Sequence, residues 1–249
     1  MANTFAALRA AAMRGAAARA TEADYVAAAA RIGSGSRELH AVITVESSGA
    51  GFYADGRCKM LFEPHVFYRN LAGAQQAQAV KVGLAYPKWG TKPYPKDSYP
   101  RLLQAMQINE TAALMACSWG LTQILGENQK ACGYATPQEM VAAMAAGEAA
   151  QLDATVALMA GKGLASALKA HNWAAVAKGW NGAQYAKNRY DTKLAAAYKA
   201  NAKAPTVSPA PLVAKGKAAA PLPAVAPMGL GQLLAGFFAR LTAPAPAAA

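Results

Sequence analysis

Glu46, Glu63 and Asp55 are the carboxylates whose spacing admits chemistry. Glu46 lies in the run 36–48, where Leu39, Val42 and Ile43 recur at helical spacing, and it falls on the same stripe seven positions after Leu39. The run closes on Ser47-Ser48-Gly49, so the acid stands at a helix C-terminus. Burial and the negative end of the helix dipole both disfavour its ionised form. A carboxyl group held protonated near neutral pH is what a general acid needs. The pattern also fits a frayed helix end with Glu46 turned to solvent. Downstream, Asp55-Gly56 between hydrophobic flanks signals a hairpin over 51–57, and a return strand over 58–63 leads Glu63 back toward the helix end. Helix, acid, hairpin, acid is an order that suits a glycosidase cleft with paired carboxylates. Glu63 equally reads as a helix cap ahead of Pro64, and turn chemistry alone explains Asp55.

Positioning these groups falls to helices. Thr21 with Asp24, and Thr136 with Glu139 behind Pro137, form capping boxes that open helices from 21 to about 33 and from 136 onward. Further helices are expected over 36–48, 64–70, 100–108, 110–118, 126–134, 148–160, 163–170, 172–179 and 183–202. Residues 83–99 carry Gly83, Pro87, Gly90, Pro93 and Pro95 and must be irregular. This loop interleaves Tyr86, Trp89, Tyr94 and Tyr99 with Lys88, Lys92 and Lys96, which suits contact with a sugar polymer. Trp119 fits either a sugar-stacking role or core packing.

The 249 residues are 54% hydrophobic, much of it alanine, which favours helices with thin cores. A net charge of +12 calls for an anionic partner without choosing it. The three cysteines, Cys58, Cys117 and Cys132, support neither a disulfide framework nor a metal site, and three histidines are too few for a histidine-rich zinc centre. No cofactor and no metal is expected. No nucleic-acid module is visible.

The chain divides into a cationic leader helix over 1–20, a catalytic domain over 21–202, a Pro/Ala-rich linker over 203–228 and a short hydrophobic helix and tail over 229–249. The leader carries Arg9, Arg14 and Arg19 with no acid before Glu22 and no apolar core of a secretory signal. Synthesis in a cytoplasm, without a signal peptide, is the expectation, so that acting outside it would need a separate export step. No acid follows Asp191, so the tail is purely cationic and suits an anionic outer-membrane or membrane surface.

Taken in order, Val45-Glu46-Ser47-Ser48-Gly49, Asp55-Gly56-Arg57, Leu61-Phe62-Glu63-Pro64-His65 and Ser118-Trp119-Gly120-Leu121-Thr122-Gln123-Ile124 resemble the N-acetylmuramidase family of phage endolysins, within the lysozyme-like superfamily. The resemblance spans roughly residues 20–200. It implies a mainly α, lysozyme-like α+β fold: a helical domain with a small β-hairpin beside an active-site cleft, followed by a flexible C-terminal tail. It implies cleavage of the β-1,4 bond between N-acetylmuramic acid and N-acetylglucosamine in peptidoglycan by a monomer. By position, Glu46 matches the catalytic glutamate and Glu63 the second carboxylate. Ser118 and Gln123 match the cleft segment, and Asn181 and Tyr185 match polar cleft residues on a late helix. His65 is expected to be a hydrogen-bonded structural neighbour of Glu63. Two other readings remain: a lytic transglycosylase using one glutamate, and a non-enzymatic cationic binder of membrane or wall.

Overall fold

Alanine-rich amphipathic segments dictate helices. In the computed structural model, which describes residues 5–47 and 49–201, twelve α-helices surround a three-stranded antiparallel sheet. Residues 203–228 and 229–249, expected as linker and hydrophobic tail, lie outside the described residues. Of the expected leader helix, α1 (Phe5–Ala10) is the helical part. Positive φ angles at Ala12, Met13 and Ala17 end it, and the chain then runs extended along the domain. Ala18 bridges Gly147, and Leu8 and Met13 are buried. Residues 5–20 are therefore a strap laid on the domain.

Thr21 and Asp24 complete their capping box at the start of α2 (Glu22–Ala30). In α3 (Ser36–Glu46), Leu39, Val42, Ile43 and Glu46 are all buried, as their common stripe requires. The hairpin turn forms, with Phe52 bridging Cys58 and Tyr53 N–H donating to Arg57 O at 2.8 Å. Its return strand is shorter than expected and pairs elsewhere. β1 (Met60–Phe62) adds to β2 (Cys117–Trp119), with Met60 opposite Trp119 and Phe62 opposite Cys117. Between them lie α4 (Pro64–Arg69), α5 (Gly73–Lys81), the irregular stretch 82–98, α6 (Tyr99–Ile108) and α7 (Glu110–Met115). Sequence reasoning did not assign α5. It also placed 110–118 in one helix and 126–134 in another. The first stops at Met115, and β2 then pairs with β3 (Ile124–Leu125), with Ser118 opposite Leu125. A single 3₁₀ turn at Gly126–Asn128 replaces the second helix. Pairing on two edges outweighs helix propensity for so short a segment.

The remaining elements are α8 (Pro137–Ala146), α9 (Glu148–Gly161), α10 (Ala165–Lys169), α11 (Trp173–Asn181), a 3₁₀ helix at Ala183–Asn188 and α12 (Tyr190–Ala200). Arg189, at φ 54°, breaks what was expected as one helix over 183–202. Thr136 caps Glu139 N–H at 3.1 Å, but Glu139 Oε2 accepts from Ala135 N–H and not from Thr136, so the box is reciprocal one residue early. One apolar core, with Phe62, Phe67, Trp119, Trp180, Met140 and Met144 at its centre, joins helices and sheet. α3 packs between α2 and α12, and α11 packs on α12. That arrangement surrounds the C-terminal end of α3.

Candidate active site

Glu46 is the last residue of α3 and is 1% exposed. Asn181, the last residue of α11, donates from Nδ2 to Glu46 Oε1 at 3.2 Å. Oε2 has no hydrogen-bond partner among the described residues. Burial pushes the carboxyl up to about 7. Three neighbours pull the other way: the Asn181 bond, the Trp180 indole and the Lys193 charge. The indole N–H lies beside the carboxyl outside hydrogen-bond geometry, so it acts as a dipole only. The Glu46 charge also helps burial to hold the Tyr190 hydroxyl protonated, which places α12 against the same group. A frayed, solvated helix end is thus excluded. Of these neighbours, the resemblance singles out Asn181, as a polar cleft residue, whereas Tyr190 and Lys193 carry no signal in the sequence beyond their i, i+3 spacing.

Glu63 follows β1 and is fully buried. It occupies the position before α4, yet its side chain makes no capping bond there; its carbonyl accepts from Val66 and Phe67 N–H at 3.0 Å each. The carboxylate accepts instead from the Tyr94 hydroxyl, so the irregular stretch 82–98 crosses directly over it. Burial and the adjacent Glu63 charge both drive the Tyr94 phenol up. His65 Nδ1 stands 3.5 Å from Glu63 Oε2, too long for a hydrogen bond, and the expected bond is not made. Burial, then the Arg69 charge, lowers the His65 pKa and keeps the ring neutral near pH 7, so this is not an ion pair there. Asp55 serves the turn, accepting from Arg57 N–H at 3.1 Å and from Arg57 Nε at 2.6 Å.

The structure joins Glu46 to Asn181 directly. Glu63 and Ser118 share the β1–β2 pair, since Ser118 stands opposite Leu61 and Ala116 O accepts from Glu63 N–H at 2.8 Å. Ser118 Oγ is buried and has no partner among the described residues. Gln123 closes the turn after β2, donating from Nε2 to Gly120 O at 2.8 Å and Lys59 O at 3.3 Å, with φ at 50°. Tyr185 is half-buried in the 3₁₀ helix after α11. α11 and α12 pack around Glu46, and the stretch 82–98 reaches Glu63 through Tyr94. Trp119 is core, with its indole donating to Leu114 O at 3.2 Å.

A second layer, unforeseen from sequence, ties these segments together at the first turn of α9. Glu148 accepts from Gly51 N–H at 2.8 Å, Ala20 N–H at 3.1 Å and Arg19 Nη1 at 2.6 Å. Its place at a helix N-terminus favours the charge it carries. One turn on, buried Gln151 accepts from Leu121 N–H at 2.8 Å and donates to Met144 O at 2.9 Å. Gly120, at φ +72°, approaches Gln151 so closely that a Cβ would stand 2.7 Å from its amide carbon. Among the described residues no group of three or more His, Cys, Asp or Glu side chains could hold a metal ion.

A mainly helical domain with a small antiparallel sheet and a buried glutamate at a helix end is a lysozyme-like, endolysin-type fold. Residues 36–202 match the N-acetylmuramidase family model, and the chain belongs to that family, a family of peptidoglycan-degrading enzymes. The crystal structure of an endolysin from Burkholderia phage AP3 matches with a TM-score of 0.68 and 41% identity, covering 74% of this chain and 72% of that one. No curated protein matches the chain.

Proposed function

We infer that the protein is an endolysin-type muramidase that cleaves the β-1,4 bond between N-acetylmuramic acid and N-acetylglucosamine and so lyses the bacterial wall. The observation that carries this reading is the Glu46 carboxyl: buried, protonated up to about pH 7 and with Oε2 uncommitted. Its proton passes to the glycosidic oxygen as positive charge develops at the sugar carbon. Asn181 holds the other oxygen and so fixes the direction in which the acid points. Glu63 is the second carboxylate in this reading, either orienting the attacking water or stabilising the sugar cation, once Tyr94 has yielded its place. Ser118, Gln123 and Tyr185 would line the glycan path.

One observation favours a transglycosylase instead. The Glu63 carboxylate is already engaged by the Tyr94 hydroxyl, which suits a one-acid reaction in which the sugar's own 6-hydroxyl attacks. Digestion of purified sacculi separates the two readings: reducing ends identify hydrolysis, and 1,6-anhydro ends identify transglycosylation. Glu46→Gln abolishes product in either case while the protein stays folded. A variant that digested sacculi normally would remove Glu46 from the chemistry and leave a cationic binder as the better account.

The enzyme acts as a monomer on peptidoglycan strands, reaching the wall by a separate export step. The cationic segment beyond Asp191 serves contact with an anionic outer-membrane surface. Among the described residues no helix is long and apolar enough to cross a membrane.

A further inference from the structure

The large hydrophobic side chains left exposed among the described residues are Val80, Val82, Trp89 and Leu103. All four belong to one hairpin of helices, α5 and α6 with the stretch 82–98 between them. The helices run antiparallel, because Gln75 near the start of α5 donates to Ile108 O at the end of α6 at 3.0 Å. The same offset sets Val80 level with Leu103, and Val82 and Trp89 follow in the connecting stretch, so all four belong to the tip half of the hairpin, away from Gln75. Lys81, Lys88, Lys92 and Lys96 are exposed on that tip, and none forms an ion pair among the described residues. Over residues 73–103 the cations are these four and Arg101, and the one acid, Asp97, is taken up by Arg57.

We propose that this tip docks on an anionic lipid surface, with Val80, Val82, Leu103 and Trp89 entering the headgroup boundary and the lysines meeting lipid phosphates. Exposed apolar area ringed by unpaired cations fits an interface that is oily inside and negative outside. Charge sign argues against the other occupants. The chain's own tail carries Lys203, Lys215, Lys217 and Arg240 without an acid, and a second copy would present the same positive tip. A hydrated glycan with its stem peptides offers the lysines a partner but gives the aliphatic side chains no apolar complement.

The test is cosedimentation of the full chain with vesicles of phosphatidylglycerol and of phosphatidylcholine. Two variants, K81E and V82S/L103S, lie outside the loop 83–99, touch neither acid and leave the fold undisturbed, which the melting temperature and digestion of purified peptidoglycan check. Wild type binds the anionic vesicles and not the zwitterionic ones, and each variant binds roughly tenfold or more weakly: K81E removes one cation and adds one anion where each charge contributes on the order of a factor of five, and the two serines remove apolar area from the headgroup boundary. Unchanged binding by both variants assigns the lipid contact to the tail and overturns the proposal. So does absence of wild-type binding. Variants that sediment normally with vesicles but lose affinity for sacculi would make the tip a wall-binding site instead.

Discussion

Glu46→Gln should abolish activity and yet make the protein more stable as pH rises. In the unfolded chain this carboxyl titrates near 4.5, and in the folded protein burial raises it to about 7. Between those values the native state holds a proton that the unfolded state has released, so stability falls with increasing pH. The contribution is fully present below pH 4.5 and is gone above about 7. At about 1.4 kcal/mol per pH unit, the interval corresponds to about 3 kcal/mol. Glutamine keeps the carbonyl that accepts from Asn181 and carries no charge to desolvate, so the variant escapes this loss. It does bury an amide N–H where Oε2 has no partner, at a cost of about 1–3 kcal/mol that does not vary with pH. The diagnostic quantity is therefore the slope and not the offset. Urea unfolding of wild type and variant from about pH 4 to about pH 8.5 should give a difference that moves by about 3 kcal/mol in favour of the variant, or roughly 6–12 °C in melting temperature for a domain of this size. Other titrating groups cancel because both proteins carry them. A difference that stays constant across this range would mean that Glu46 ionises as it does in water, and the argument for a buried acid would fail.

Wild-type activity should decline as pH rises through about 7, where Glu46 loses its proton. Replacing Asn181 with Ala removes a bond that lowers the Glu46 pKa, so that alkaline limb moves to higher pH while kcat falls; an unmoved limb in the pH–rate profile would show that Asn181 does not touch the working acid. Glu63→Gln should reduce kcat on sacculi by about a hundredfold or more with little change in KM if Glu63 is the second carboxylate, whereas near-normal turnover would support the one-acid reaction. At the α9 anchor, Glu148→Gln should cost about 2–3 kcal/mol by urea titration, because buried backbone donors lose a charged acceptor. Arg19→Ala should cost less than about 1 kcal/mol, since its side chain is largely exposed; equal costs would overturn that division.

The stripe of Leu39, Val42, Ile43 and Glu46 made the acid legible in the sequence, because a helix period fixes which residues share a face and every residue needed for the inference lies within eleven positions. The caps at Thr21 and Thr136, the turn at Asp55 and the helix start at Pro64 were legible for the same reason: each is local chemistry. What failed was non-local. Nothing within residues 117–119 shows that a strand from residue 60 waits to pair with them, and nothing near Gly51 points to Glu148, 97 positions away. The Tyr94 contact with Glu63 belongs to the same class. Aromatic composition marked the loop as a candidate sugar surface, but only the fold shows that the loop covers an acid.

Burial of both acids sets a conflict for the proposed reaction. In the proposed reaction Glu46 keeps its proton because burial excludes water, yet the glycan has to reach it, and neither Glu46 nor Glu63 is open to solvent. If the site opened to water alone, Glu46 would be rehydrated, its pKa would fall toward 4.5 and the proton would leave before it could be donated. Opening is productive only when sugar takes the place that water would occupy, so that the acid remains desolvated throughout. Binding and proton retention are then one event. On the proposed mechanism, burial protects Glu46 against idle ionisation, and the bound sugar would have to restore the low-dielectric surroundings on which the acid depends.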